Sequence, residues 1–188
     1  MSKKLVRQYQ FFILYWKNIW FRVFYSWYYL FGDKTMQKRK VCAITGRRNI
    51  PTEYKAYVYH KLMLEILDAC QSEPCTFLCG FANGVDIMAA EYILSLKEKG
   101  FDVKLIAYLP YKDRKDSKRI SENLEMCDDV IVCSDYYFKG CFIRRDKVMV
   151  DSADMLIAVT DGKDTGGTAY TIKCAEKRGI PVVKILME

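Results

Sequence analysis

From Lys40 onward, short apolar runs alternate with longer amphipathic segments. Val41-Cys42-Ala43-Ile44, Thr76-Phe77-Leu78-Cys79, Val103 to Leu109, Val130-Ile131-Val132-Cys133, Leu156 to Val159 and Val182 to Leu186 are continuously apolar or nearly so, too short for helices and bounded by glycine, proline or charge. Such runs predict strands buried on both faces. Between them the spacing changes to the helical period. Val58, Leu62, Ile66 and Ala69 share one face of a helix over 53–70. Val85, Met88, Ala89, Tyr92, Ile93 and Leu96 form the face of a second helix, which stops at Lys99-Gly100. Shorter helices are expected over 121–127, 142–150 and 169–177, and Tyr111 to Arg119 reads as a charged loop or helix entry. Strand and helix in strict alternation imply a mostly parallel sheet with helices on both faces. The expected class is α/β, a three-layer Rossmann-like domain over residues 38–188, preceded by an N-terminal hydrophobic and aromatic helix in an extension, 1–37.

The extension breaks the pattern. Phe11 to Phe31 is aromatic and aliphatic, interrupted by Lys17, Asn18, Arg22 and Ser26. Three readings stand. A spanning helix has the right length, but each interior charge costs about 2.5–3.5 kcal/mol near the bilayer centre. An interfacial helix suits the Asn18-Arg22-Ser26 stripe and the flanking bases, with membrane contact through residues 8–31. The third is a spurious start. Met36 opens Met36-Gln37-Lys38-Arg39-Lys40 just before the first strand, and a run rich in Phe, Tyr, Ile, Lys and Asn is what translated AT-rich DNA gives. A signal peptide is excluded, because no small-residue cleavage site follows the apolar run.

Charge sharpens this division. The chain carries +7 overall, but residues 1–40 sum to +8 and residues 41–188 to −1. The folded part therefore lacks the basic face that phosphate-backbone binding requires, and a nucleic-acid partner is not expected. The eight cysteines form no paired CxxC set, and several sit in strand-like runs where a thiol acts as a small hydrophobe. That points to a reducing cytoplasm without disulfides, and the spacing gives no metal site. His60, the one histidine, falls on a helical pattern and is expected at its surface.

Candidate chemistry gathers in three turns that each follow a strand: Thr45-Gly46-Arg47-Arg48, Gly80 to Asp86, and Asp161 to Thr168. In an open parallel sheet, ligands bind beyond the carboxyl ends of the strands. Glycine lets backbone approach a ligand, and a helix N-terminus offers unpaired N–H groups to an anion. Arg47 and Arg48 suit a phosphate or carboxylate, and Arg144 and Arg145 lie close enough in sequence to the fourth strand to reach the same edge. Asp86 suits ribose hydroxyls, or serves its helix dipole. Each feature has a plainer reading: chain reversal for Gly80 and Gly84, helix starts for Asp86 and Thr168, an ion pair with Asp151 or Asp154 for Arg145, a surface position for Glu91. The dinucleotide fingerprint G-x-G-x-x-G and the P-loop are both absent.

These residues resemble a known family. Thr45-Gly46-Arg47-Arg48, then Gly80-x-x-x-Gly84-x-Asp86-x-x-Ala89-Ala90-Glu91, then Arg145-Asp146-x-x-Met149-Val150-Asp151-x-x-Asp154 leading to Gly166-Gly167-Thr168, look like the SLOG superfamily. That group includes DNA-processing protein A and the Lonely Guy enzymes, and the similarity is strongest to its YpsA-like subgroup of unknown function. It covers residues 38–187. The resemblance implies a Rossmann-like fold in a bacterial or phage cytosolic setting, often paired as a homo-oligomer. It also implies a pocket for a nucleotide or nucleotide-derived small molecule, built from Thr45, Gly46, Arg47, Arg48, Gly80, Gly84, Asp86, Arg145, Gly166, Gly167 and Thr168. No separate cofactor is expected. The family usually has His at Arg47 and Asn at Asp146. Lonely Guy enzymes carry P-G-G-x-G-T-x-x-E with a catalytic Glu, whereas Gly166-Gly167-Thr168 here has no preceding Pro and no Glu in register. Asp86 or Glu91 would have to replace it. The expectation is a binding or sensing domain in a stress, cell-division or phage-conflict pathway. The alternatives are N-glycosidic cleavage of nucleoside monophosphates and single-stranded DNA binding.

Overall fold

The computed structural model describes residues 39–71, 73–114, 116–163 and 165–187. The extension therefore lies outside the described residues. Six strands and five helices alternate without exception among those residues: β1 (Lys40–Gly46), α1 (Thr52–Ala69), β2 (Cys75–Cys79), α2 (Val85–Glu98), β3 (Val103–Leu109), α3 (Lys118–Glu125), β4 (Asp129–Val132), α4 (Cys141–Asp151), β5 (Met155–Thr160), α5 (Gly167–Arg178) and β6 (Val182–Leu186). All five strand pairings are parallel. The fold is a Rossmann-like α/β sandwich. The largest departure from the expected bounds is α3, which starts three residues early. Its first two residues, Lys118 and Arg119, are exposed and charged, so they carry no apolar signal.

Strand alternation divides one continuous apolar run between two cores. Cys42, Ile44, Phe77, Cys79, Leu105, Ile157 and Val159 face one side, where Val58, Leu62 and Ile66 of α1, Ile93 of α2 and Ile120 of α3 pack on them. Ala43, Leu78, Leu156 and Ala158 face the other, against Met149 and Val150 of α4 and Ile172 and Ala175 of α5. At about 25 cal/mol per Å² of buried apolar surface, these two layers are the main stabilising term. All eight cysteines are free thiols. Burial pushes the thiols of Cys42 and Cys79 well up, which suits core packing rather than reactivity.

Polar pegs hold the sheet at its entrances. Arg39 pairs with Asp102 at 2.7 Å, Asp128 accepts from the Leu105 N–H at 2.8 Å, and Asp154 accepts from the Val41 N–H at 2.9 Å. Arg178, at the end of α5, donates to the carbonyls of Val150 and Ala153, which joins α5 to the unsatisfied C-terminus of α4. No helix among the described residues is long and apolar enough to cross a membrane.

The strand order is β4-β3-β2-β1-β5-β6. The chain steps outward from β1 to β4, then returns to lay β5 on the other side of β1. The switch in direction falls between β1 and β5, which is where an open α/β sheet leaves a crevice at its carboxyl edge.

Candidate functional site

Three exit turns meet at that crevice, and their glycines do different work. Gly46 ends β1 against the first residue of α2, so a Cβ there would lie 2.6 Å from Val85. Gly80 ends β2 where a Cβ would lie 1.8 Å from Nη1 of Arg145. Gly84, at φ +86°, lets α2 begin 2.3 Å from the Arg48 carbonyl oxygen, measured from the Cβ it lacks. The Val85 N–H then donates to the Arg47 carbonyl at 3.2 Å. All three are packing glycines. Gly166 and Gly167 differ. Gly166, at φ +94°, has no described residue within 4 Å of its missing Cβ, and Gly167 has only Asp146 Oδ2, at 3.8 Å. These two open the start of α5 to solvent.

The turn between β2 and α2 spends its polar groups internally. The Ala82 N–H donates to Asp86 Oδ2 at 3.1 Å. Arg145 donates through Nη1 to the Gly80 carbonyl, and to the Tyr108 carbonyl at 3.1 Å. Arg114 donates to the Phe81 carbonyl at 3.0 Å and to the Gly80 carbonyl at 3.4 Å. Two arginines thus hold a turn whose buried Phe81 sits at φ +50°, a left-handed conformation uncommon for a bulky side chain. Like the other helices, α5 begins with no side-chain cap; its first residues, Gly167 and Thr168, line the crevice, and no described side chain claims their N–H groups.

Buried charge lies at the base of the crevice. Arg145, Asp86 and Asp146 are all buried. Arg145 Nε stands 2.7 Å from Asp146 Oδ1, an ionic contact whose angle leaves Nε without a hydrogen bond. Burial pushes the Asp86 carboxyl up to about 6, against the opposing charge of Arg145. Burial also pushes Asp146 up, again opposed by Arg145, with help from the Thr171 hydroxyl. The plainer reading of Arg145 paired it with Asp151 or Asp154. Instead Asp151 pairs with Lys147 at 2.5 Å, while Asp154 pegs β1. Arg145 turns inward because Gly80 leaves room for it.

A cavity of about 340 Å³ occupies this edge. Of the expected site residues, Thr45, Gly46, Arg47, Arg48, Asp86, Arg145, Gly167 and Thr168 line it; Gly80, Gly84 and Gly166 do not. Arg47 reaches across the switch point to Asp161 at 3.0 Å. Arg48 makes no ion pair among the described residues and lies 5.1 Å over the ring of Phe142. Glu91 is outside the cavity, held by Arg119 in two hydrogen bonds of 2.5 and 2.6 Å. Arg144 is exposed beside the ring of Phe138. Sequence reasoning missed Asn49, Ala82, Phe142, Ile143 and Met149 as lining residues, and took Asp146 for a motif position alone. Phe142, Arg145, Asp146 and Met149 follow i, i+3, i+4, i+7 along α4, so helical spacing could have placed all four on one face. Among the described residues no group of His, Cys, Asp and Glu could hold a metal.

The chain matches the model of the YspA SLOG family over residues 52–181. A UPF0398 protein of Bacillus licheniformis is 25% identical over 169 residues, which is 79% of this chain and 92% of that protein. A UPF0398 protein of Bacillus thuringiensis is 23% identical over 105 residues, 51% of this chain and 56% of its own length. Among solved structures, DNA processing protein A from Helicobacter pylori, described for its single-stranded DNA binding mode, superposes with TM-score 0.55 at 19% identity over 79% of this chain and 66% of that one. The X-ray structure of TM1055 superposes with TM-score 0.50 at 17% identity over 76% and 72%. At such identities these two structures establish a shared fold.

Proposed function

The chain belongs to the YspA SLOG family, and we propose that its switch-point cavity binds a mononucleotide-sized ligand through a phosphate held at the N-terminus of α5. One observation carries this reading. Of the turns at the crevice, only the one before α5 leaves its glycines unpacked at an uncapped helix start, in a cavity lined also by Arg48, which makes no ion pair among the described residues. A helix N-terminus with a nearby guanidinium is favourable ground for a phosphate. The volume, about 340 Å³, lies at the small end of ligand sites, roughly 300–1,000 Å³. It suits one nucleotide better than a dinucleotide. Asp86 and Asp146 lie at the cavity's base, placed to accept hydrogen bonds from ribose hydroxyls. Titration calorimetry against AMP, ribose 5-phosphate, ADP-ribose and NAD tests the reading. Saturable binding of a monophosphate, lost in Arg48→Glu, is expected; no heat from any of the four in folded protein would sink it.

A second reading, cleavage of an N-glycosidic bond, is favoured by the position of Asp86 near 6. That value suits an acid or base working near neutrality. One carboxyl would protonate the departing base while the other, ionised, takes a proton from the water that attacks C1′. Free base released from AMP, and lost in Asp86→Asn with folding intact, is the expected result. Intact AMP after prolonged incubation would dismiss it.

A further inference from the structure

Beside the cavity, joined to it through Phe142, stands an aromatic corner that the phosphate site does not explain. Phe142 belongs to both: it lines the cavity, and its ring lies 6.3 Å from that of Tyr111 at 85°. Tyr111 in turn lies 5.5 Å from Tyr137 at 81°. The three rings come from different segments, the turn after β3, the turn after β4 and the first turn of α4. Tyr137 is 63% exposed although it is an aromatic side chain held in contact with others. Arg48 lies over the Phe142 ring, and of the three rings Tyr137 is the exposed one. Edge-to-face contacts fix the orientation of such rings at little cost in conformational freedom. Ordered, exposed rings in contact with the wall of a polar cavity suit the stacking of a flat ring.

We infer that this corner is the nucleobase subsite of the same ligand: the base stacks on Tyr137 while its phosphate lies at the start of α5. The inference rests on the phosphate reading above, and adds which end of the ligand faces out and why a base is required. Arg48 stands between the two subsites, with its charge toward the phosphate and its planar group on Phe142. Asp86 and Asp146, deeper in, are left for the sugar. A ligand without a base fills half of this arrangement.

The test compares the full chain's affinity for AMP, GMP, CMP and UMP with its affinity for ribose 5-phosphate, measured by titration calorimetry. The best of the four nucleotides should bind at least about fivefold tighter than ribose 5-phosphate, the lower end of what stacking one base on one ring contributes. Tyr137→Ala should remove most of this advantage and leave ribose 5-phosphate binding unchanged, while Tyr137→Phe should keep it. Equal binding of nucleotide and ribose 5-phosphate by the unaltered chain would overturn the subsite and leave the phosphate site standing. An advantage that survives Tyr137→Ala overturns it too. If neither class of probe binds, the phosphate reading fails and the subsite with it. Retention of an oligo-dT strand that depends on Tyr137, with no base advantage among mononucleotides, would assign the ring to a nucleic-acid surface and refute the subsite.

Discussion

At the scale of single residues, the contacts at Gly80 and Asp86 carry direct consequences. A methyl group at position 80 meets the Arg145 guanidinium, which is itself buried and fixed by the Gly80 and Tyr108 carbonyls. Gly80→Ala should therefore lower stability by about 1–3 kcal/mol, the usual cost of overpacking, read as a lower denaturant midpoint at unchanged slope. Asp86 gives a pH signature. Its carboxyl is raised to about 6 in the folded chain from an ordinary value near 3.8. The folded state thus holds a proton the unfolded state has lost. The favourable contribution is complete below about 4 and disappears as pH rises through about 6. Compared with Asp86→Asn, the unaltered chain should lose stability across that window and run parallel above it. Ligand affinity should follow the same group. Ionised Asp86 repels an anionic phosphate yet is the stronger acceptor for ribose hydroxyls, so the ratio of affinities between the unaltered chain and Asp86→Asn should change as pH falls through about 6. A pH-independent ratio between the two would show that Asp86 does not share the ligand's field.

At the scale of elements, α5 separates cap from site. An acidic residue in the first turn of a helix is favourable by about 0.3–1 kcal/mol. Thr168→Asp should hold or raise thermal stability by that order, while the new carboxylate occupies the anion position and weakens AMP binding at least about tenfold. A fall in stability together with unchanged binding would place the phosphate elsewhere. The elements themselves were legible in the sequence because both periods are clean: Val58, Leu62 and Ile66 at helical spacing, and Ala43 and Leu78 alternating with Cys42, Ile44, Phe77 and Cys79 inside apolar runs. Strand pairing and the switch point followed less directly, since nothing local in β5 says that it lies beside β1. The glycines were the harder part. Gly46, Gly80 and Gly84 look in sequence like Gly166 and Gly167, yet three make room for protein atoms and two leave the start of α5 open. That difference depends on what lies across the turn, namely Val85, Arg145 and the Arg48 carbonyl, and no local spacing encodes it. Phe142 and Met149 were missed because apolar residues on a helix read first as core.

At the scale of the molecule, the basicity and the cavity are separate. Residues 1–40 carry +8 and the remainder −1. Long-range attraction to anionic surfaces should therefore follow the first forty residues. A chain beginning at Met36 should elute from heparin at clearly lower salt than the full chain while binding AMP with the same affinity; unaltered heparin elution would place the basic surface on the domain. The Arg145 guanidinium standing where Gly80 lacks a side chain bears on inheritance as well as stability. Neither position can change first at low cost: a side chain at 80 collides with the arginine, and a shorter residue at 145 abandons the Gly80 and Tyr108 carbonyls it serves. A lineage that keeps both keeps the loop geometry between them. One that loses the arginine is freed to fill position 80 and cannot easily return. Within the family, the two positions should be gained and lost together, so that the pair marks a branch by descent whatever ligand each branch holds.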